Sequence, residues 1–349
     1  MPRWRPLTLN SVKQGAAEMQ RFALIGAGFI GAVHAQSLAA NPEVDFRFVY
    51  DVDLARAERL AFSHGATAVP SLVQVFDATQ VDAVLIASST NRHTEHLRLA
   101  ADAGIAALCE KPIDLDLETA RETVAYVEAA GITAMVDFNR RFDRDYAEVK
   151  RIVDAGEIGD VELVQLSSRG PSMPPLEYIA VSGGQMRDQT VHFFDLATWI
   201  TGLDAVAVYA TGSALAEPRI AEYGDVDTSV ATVRLANGAL VQIDSIRRSG
   251  YGYDERLEVF GSTGLVEAKR HRAGQVARYG SGTVTESGMH AGWFERVQPT
   301  YAAALSEFVG ALEGARLPSP SLRDALRAQA IAEAATRSLA SGREEPVGS

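Results

Sequence analysis

Residues 21–31 read RFALIGAGFIG. A short apolar run ends in a glycine turn, and a helical pattern opens near Phe29. Gly26, Gly28 and Gly31 form G-x-G-x-x-G between strand and helix. Alone the pattern says little; in this position each glycine has a task. Gly26 allows the tight turn, Gly28 lets the backbone approach a pyrophosphate, and Gly31 permits close helix packing. The free N–H groups and positive dipole end of the helix then face the phosphates.

Beyond this stretch the chain alternates. FRFVYD (46–51), VDAVLIAS (81–88), AALCEK (106–111) and ITAMVDF (132–138) are apolar runs, separated by amphipathic patterns. That rhythm predicts βαβ units and a parallel sheet covered on both faces. Asp51 ends the second run, 20 residues after Gly31. A carboxylate there accepts hydrogen bonds from ribose hydroxyls and repels a 2′-phosphate, which favours NAD over NADP. Two alternatives stay open: Asp51 caps the following turn, or the nearby Arg56 accommodates a phosphate.

After about residue 142 the rhythm changes. VELVQLSS (161–168) leads into a Pro/Gly-rich stretch, and TSVATVRLANGALVQIDSI (228–246) places Asn237-Gly238 between two strands, a strong hairpin signal. LEVFGSTGLVEA (257–268) reads as another hairpin, and two helices at 294–314 and 321–341 close the chain. The expected organisation is a disordered extension or upstream start at 1–19, a dinucleotide-binding domain at 20–140, and a second α/β domain at 141–345. The second domain has an open, mostly antiparallel sheet and carries the C-terminal helices.

Composition excludes several classes. The net charge is −12 with no basic stripe, so nucleic acid is not an expected partner. No run approaches the roughly 18 apolar residues of a membrane helix. The single cysteine, Cys109, rules out an intramolecular disulfide framework and fits a cytoplasmic location. The N-terminus lacks an export signal.

The chemistry is expected at two places. Cys109-Glu110-Lys111-Pro112 ends a strand of the parallel sheet, and ligands bind beyond the carboxyl ends of such strands. Pro112 restricts the backbone of Lys111 and so fixes its direction. The second place is MRDQTVHFFDLATWI (186–200), a helix apolar nearly all round and therefore buried. Asp188, His192, Asp195 and Trp199 share one stripe at helical spacing. Asp188 and His192, at i and i+4, read as a pair in which the aspartate orients an imidazole that takes a hydroxyl proton. The alternatives are a helix cap for Asp188 and a core position for His192. Asp195 and Trp199 read as structural, and no zinc or other metal site is expected because no cysteine supports one.

These motifs carry a resemblance. GAGFIG, STNRHTEH (89–96), CEKP (109–112), FNRRFD (138–143), PPLEYI (174–179), SGGQMRDQTVHFFD (182–195) and YGYDERLEVFG (251–261) match, in order and spacing, the Gfo/Idh/MocA oxidoreductase family. Within it the chain looks most like inositol 2-dehydrogenases. The resemblance implies a Rossmann domain and an open-sheet domain whose outer face mediates dimers or tetramers. It implies Lys111, Asp188 and His192 as the catalytic set. It places Gly26, Gly28, Phe29, Ile30, Gly31, Asp51, Ser88, Thr90, Asn91, His93, Glu110 and Lys111 around the cofactor, with Asn91 and His93 near the nicotinamide ribose. It places Asn139, Arg140, Ser168 or Arg169, and Tyr251 or Tyr253 around the substrate. Some inositol dehydrogenases carry methionine at the position of Asn139 and histidine near Ser168, so the polyol is left open.

The expected activity is NAD-dependent oxidation of a secondary alcohol of a cyclic polyol, inositol to inosose. Oxidation of a pyranose at its anomeric carbon uses the same constellation. An NAD-binding regulator without turnover is the alternative of another class, and an enzyme that keeps its nicotinamide bound between half-reactions is a further one.

Overall fold

The computed structural model describes residues 19–314 and 316–348. The expected extension at 1–19 lies outside them except for Met19, which is exposed.

The first half alternates as the sequence predicts: β1 (Gln20–Ile25), α1 (Phe29–Ala40), β2 (Val44–Tyr50), α2 (Leu54–His64), β3 (Thr67–Ala68), α3 (Leu72–Val75), β4 (Ala83–Ile86), α4 (His93–Ala103), β5 (Ala106–Glu110), α5 (Leu117–Ala130) and β6 (Ala134–Asp137). The sheet order is β3-β2-β1-β4-β5-β6, with every neighbouring pair parallel. Phe22, Ala23, Leu24 and Ile25 of β1 are all buried, because helices cover both faces. Local chemistry sets the helix ends. Asp53 caps α2 by accepting the Arg56 N–H, and Gly65 ends it at φ +73°.

The second half contains α6 (Arg144–Asp154), β7 (Val161–Arg169), α7 (Leu176–Ile179), a π-helical turn (Met186–Thr190) and α8 (Val191–Thr201). Then follow β8 (Ala205–Ser213), β9 (Thr228–Leu235), β10 (Leu240–Ile246), β11 (Asp254–Gly261), β12 (Gly264–Ala268), β13 (Ala277–Gly280) and β14 (Thr283–Glu286). The chain closes with α9 (Trp293–Glu313), α10 (Leu322–Ser341) and β15 (Glu345–Pro346). The larger sheet has the order β12-β11-β7-β10-β9-β8-β15, and only its β7–β10 pair is parallel. Both expected hairpins form, and Gly238 takes φ +91° in the first. Alternate residues such as Val164, Leu166, Val241 and Ile243 face the core beneath α8 and α10, while Gln165 and Gln242 face outward. Among the described residues, no helix is long and apolar enough to cross a membrane.

The division at 140 needs one correction. Helix α9 leaves the second sheet and packs on the first: Ala304, Leu305, Phe308 and Val309 join the core of Phe22, Leu24 and Leu38. Phe308 meets Phe22 edge-on, with ring centroids 6.1 Å apart. The helix was legible in the sequence, but its destination was not, since a helical pattern does not name the sheet it will cover.

The joint between the halves is one apolar core, with Ile86, Val136, Leu196 and Ile331 among its members, and it carries a buried ion pair. Arg141, buried just after β6, makes a two-pronged pair with Asp195 of α8, at 2.9 and 2.5 Å. It also lies 3.4 Å from Asp324 of α10 and over the Trp199 ring. The structural reading of Asp195 and Trp199 holds. Removing one member of a buried pair costs about 3–5 kcal/mol. Urea denaturation of Arg141→Met will show a loss of that order, and Arg141→Met/Asp195→Leu will recover most of it. Equal losses in the two variants would contradict the pairing.

Candidate active site

The glycine turn lies at the point where the strand order reverses, between β1 and β4. Gly26 has φ +104°, and a Cβ there would sit 2.4 Å from the Ala87 carbonyl oxygen. At Gly31 a Cβ would meet the Gly26 carbonyl at 2.0 Å, so helix α1 closes on the turn only without a side chain. A Cβ on Gly28 would point into open space, the cradle a pyrophosphate would occupy. No side chain caps the start of α1, and its N–H groups are left for an anion. Phe29 is largely exposed beside this cradle and Ile30 follows it in the first turn. The buried Asp51 carboxylate accepts the N–H groups of Ala27, at 2.7 Å, and Asp53, at 2.8 Å. It therefore ties the end of β2 to the glycine turn and keeps further lone pairs for a ribose. The helix cap belongs to Asp53 instead. The Arg56 guanidinium lies 4.0 Å from Asp51.

Beyond β4, Ser88 lies near His96 (3.0 Å), and Thr90 and Asn91 form a short turn at the surface. His93 follows that turn, at the start of α4. It is buried, with its ring nitrogens 2.8 Å from the Pro112 carbonyl and 3.0 Å from that of Ser88. Its polar atoms brace the Lys111 turn from behind. Glu110 is also held from behind. One oxygen pairs with His34 at 2.9 Å, and the other accepts the Lys111 N–H at 3.2 Å. Asp137, next to Glu110 across β5–β6, has no hydrogen-bond partner on its carboxyl. Burial, then the Glu110 charge, pushes its pKa up to about 8, with His34 at 3.5 Å acting in the opposite direction.

Lys111 sits at the end of β5 and reaches the π-helical turn. Its ammonium donates to the Asp188 carbonyl at 2.9 Å and lies 3.6 Å from an Asp188 carboxylate oxygen. That carboxylate also accepts from Tyr178 at 2.7 Å and Arg247 at 3.3 Å. The expected Asp188–His192 hydrogen bond is therefore not made. The π turn spans residues 186–190, and its wider winding takes Asp188 off the stripe that α-helical spacing would give. Gln185 precedes the turn, so Asp188 is not a helix cap either.

His192 stands at the start of α8 with its ring edge-on to Phe138, 5.8 Å away. Its Nδ1 is buried without a partner, which leaves Nε2 as the nitrogen toward the cleft. Burial, followed by the charges of Arg140 and Lys111, holds its pKa well below the usual histidine range. The imidazole is neutral at neutral pH and able to accept a proton.

The paired candidates on the second sheet face different ways. Strand alternation puts Ser168 on the inner face, where its hydroxyl and carbonyl accept from Gln189 at 3.1 and 3.0 Å. Arg169 points to the opposite face, pairing with Asp244 at 2.6 Å and donating to Tyr251 at 3.2 Å. Tyr251 in turn donates to Asp254 there, at 2.7 Å. Arg169 thus lies on the outer face, because neighbouring strand residues face opposite ways, and Tyr251 is held beside it by their hydrogen bond. Tyr253 faces inward, accepting from Arg140 at 2.9 Å and donating to Glu255. Asn139 joins this buried network, accepting from Arg140 at 2.9 Å and donating to Thr300 at 3.0 Å. Three of its members, Asn139, Arg140 and Tyr253, were expected; Glu255 and Thr300 were not. Tyr178 and Arg247, the partners of Asp188, also went unassigned, although Tyr178 lies in the PPLEYI motif.

Comparison with known proteins agrees with the two-part fold. Residues 20–138 match the model of an oxidoreductase family with an NAD-binding Rossmann fold, and residues 146–267 match the GFO/IDH/MocA C-terminal domain. The chain is 39% identical to an inositol 2-dehydrogenase of Rhizobium meliloti, over 93% of this chain and 98% of the relative. It is 36% identical to a myo-inositol 2-dehydrogenase of Thermotoga maritima, over 91% and 96%. A crystal structure of a myo-inositol dehydrogenase from Corynebacterium glutamicum superposes with a TM-score of 0.90 at 36% identity, covering 95% of this chain and 99% of the other. The chain belongs to the Gfo/Idh/MocA family of NAD-binding oxidoreductases.

Proposed function

We propose that the protein oxidises a ring hydroxyl of an inositol to the ketone, with NAD as acceptor and Lys111, Asp188 and His192 as the catalytic set. One observation carries the reading: a neutral His192 turns one nitrogen toward the cleft, beside a lysine fixed at the end of a parallel strand. The names of the relatives supply the substrate class.

In this reading the Lys111 ammonium donates to the reacting hydroxyl oxygen and stabilises negative charge as it forms. His192 Nε2 takes the hydroxyl proton. The hydrogen on the same carbon leaves with its electron pair, and the C–O bond becomes C=O. Bound NAD supplies the acceptor for that hydride at its nicotinamide ring. Asp188 acts through Lys111, its neighbour, and not through His192. Arg140 and its buried partners form the wall near His192, and Asp51 holds the adenosine ribose. The outer face of the second sheet, with Tyr209, Val230, Leu240 and Phe260 exposed, supports the expected homo-oligomer.

Absorbance at 340 nm, with NAD and a panel of inositols and pyranoses, tests the substrate. Turnover of an inositol is expected. Turnover of a pyranose alone would favour the anomeric-carbon reading, and silence with intact NAD binding would favour a regulator or a tightly held cofactor. His192→Ala is expected to bind NADH as the parent does and to lose turnover by roughly 10²–10⁴; unchanged turnover would remove the histidine from the mechanism. The depressed His192 pKa also fixes a pH response. A base works only when unprotonated, so the acid limb of kcat/KM should lie below the ordinary histidine range. An acid limb centred between pH 6.5 and 7.5 would contradict the assignment.

A further inference from the structure

Asp188 and Lys111 carry opposite charges in a half-closed cleft, yet they do not form a tight pair. Their closest side-chain approach is 3.6 Å, beyond the 2.7–2.9 Å of a strong charge-assisted hydrogen bond. The lysine donates instead to the Asp188 backbone carbonyl, at 2.9 Å. The reason lies on the far side of the carboxylate. Oδ1, the oxygen nearest Lys111, already accepts the Tyr178 hydroxyl at 2.7 Å. Oδ2 is held by the guanidinium of Arg247 at 3.3 Å.

Arg247 is itself fixed. It is almost wholly buried, and its other terminal nitrogen is 3.1 Å from Asp225. Asp225 in turn accepts the Gln185 N–H at 2.7 Å, at the entrance to the π turn. Arg247 follows directly on β10, so the second sheet sets the direction in which the Asp188 charge is drawn.

We infer that Tyr178 and Arg247 are positioning residues that hold Asp188 away from Lys111, and so keep the ammonium protons free for a substrate hydroxyl. This rests on the proposed dehydrogenase reading, in which Lys111 meets that hydroxyl. An ammonium has three donors and no acceptor. Bound tightly to a carboxylate it would offer less to a ligand. Partnered by one carbonyl and a loose carboxylate, it retains both charge and a free donor.

The test reads Lys111 directly. The chain has only four lysines, Lys13, Lys111, Lys150 and Lys269, so each can be followed by mass spectrometry during limited labelling with an amine-reactive reagent at pH 8. Lys269 is well exposed and serves as an internal reference. In Tyr178→Phe, Asp188 Oδ1 loses its donor and is expected to turn to the lysine. Lys111 labelling relative to Lys269 should then fall roughly two- to fivefold, the range a partly exposed ion pair is worth. Arg247→Gln should lower it likewise, and both variants should lower kcat while leaving the Kd for NADH unchanged. Tyr178 is half exposed and its phenylalanine variant keeps the ring, so the test survives if Arg247→Gln fails to fold. Labelling that stays level or rises in folded Tyr178→Phe would overturn the inference. If the parent protein oxidised no polyol, the dehydrogenase reading would fail instead, and the labelling would still report on the Lys111–Asp188 pair.

Discussion

Charge placed on a buried helix must find partners, and that constraint lays out the whole cleft. The segment 186–201 is packed by Val191, Phe193, Phe194, Leu196 and Ile200 into the main core. Each ionisable group on it is settled by a different element. Asp195 is paired by Arg141 from the end of the first sheet. Asp188 is shared among Lys111, Arg247 and Tyr178. Arg187 reaches Glu333 on α10 at 2.5 Å. Only His192 has no ionic partner, and burial leaves it neutral. The helix that closes the cleft thereby joins the two sheets and presents one uncharged imidazole beside one cation.

The same logic separates scaffold from chemistry around the nucleotide turn. Gly26 and Gly31 are demanded by contacts within the protein, since a Cβ at either would strike a backbone oxygen. Gly28 meets nothing, so its lack of a side chain serves what binds there. Glu110 and His93, neighbours of the cleft, spend their polar atoms on the backbone around Lys111 and on buried partners. Much of what surrounds the site fixes the direction of a single lysine.

Much of this was legible in the sequence. Strand–glycine–helix order and apolar alternation led to the parallel sheet, and Asn237-Gly238 marked a hairpin that forms. Lys111 and His192 were singled out because a strand end and a lone polar stripe are local features. What escaped depends on contacts between distant segments or on irregular backbone. A π turn cannot be seen in residue spacing, so Asp188 was paired with His192. The face taken by Ser168 or Arg169 depends on strand register, which motif matching leaves open. Arg247, Thr300 and the destination of α9 become visible only when distant elements are brought together: 59 residues separate Arg247 from Asp188, and 161 separate Thr300 from Asn139.

The central claim is that one substrate hydroxyl lies between the Lys111 ammonium and His192 Nε2. A crystal structure of the protein with NADH and an inositol tests this most directly. The account predicts one ring hydroxyl oxygen within about 3.2 Å of both nitrogens, with the hydrogen on its carbon turned toward the nicotinamide. An inositol whose hydroxyls touch neither nitrogen, or one seated on the outer sheet face at Arg169 and Tyr251, would contradict it.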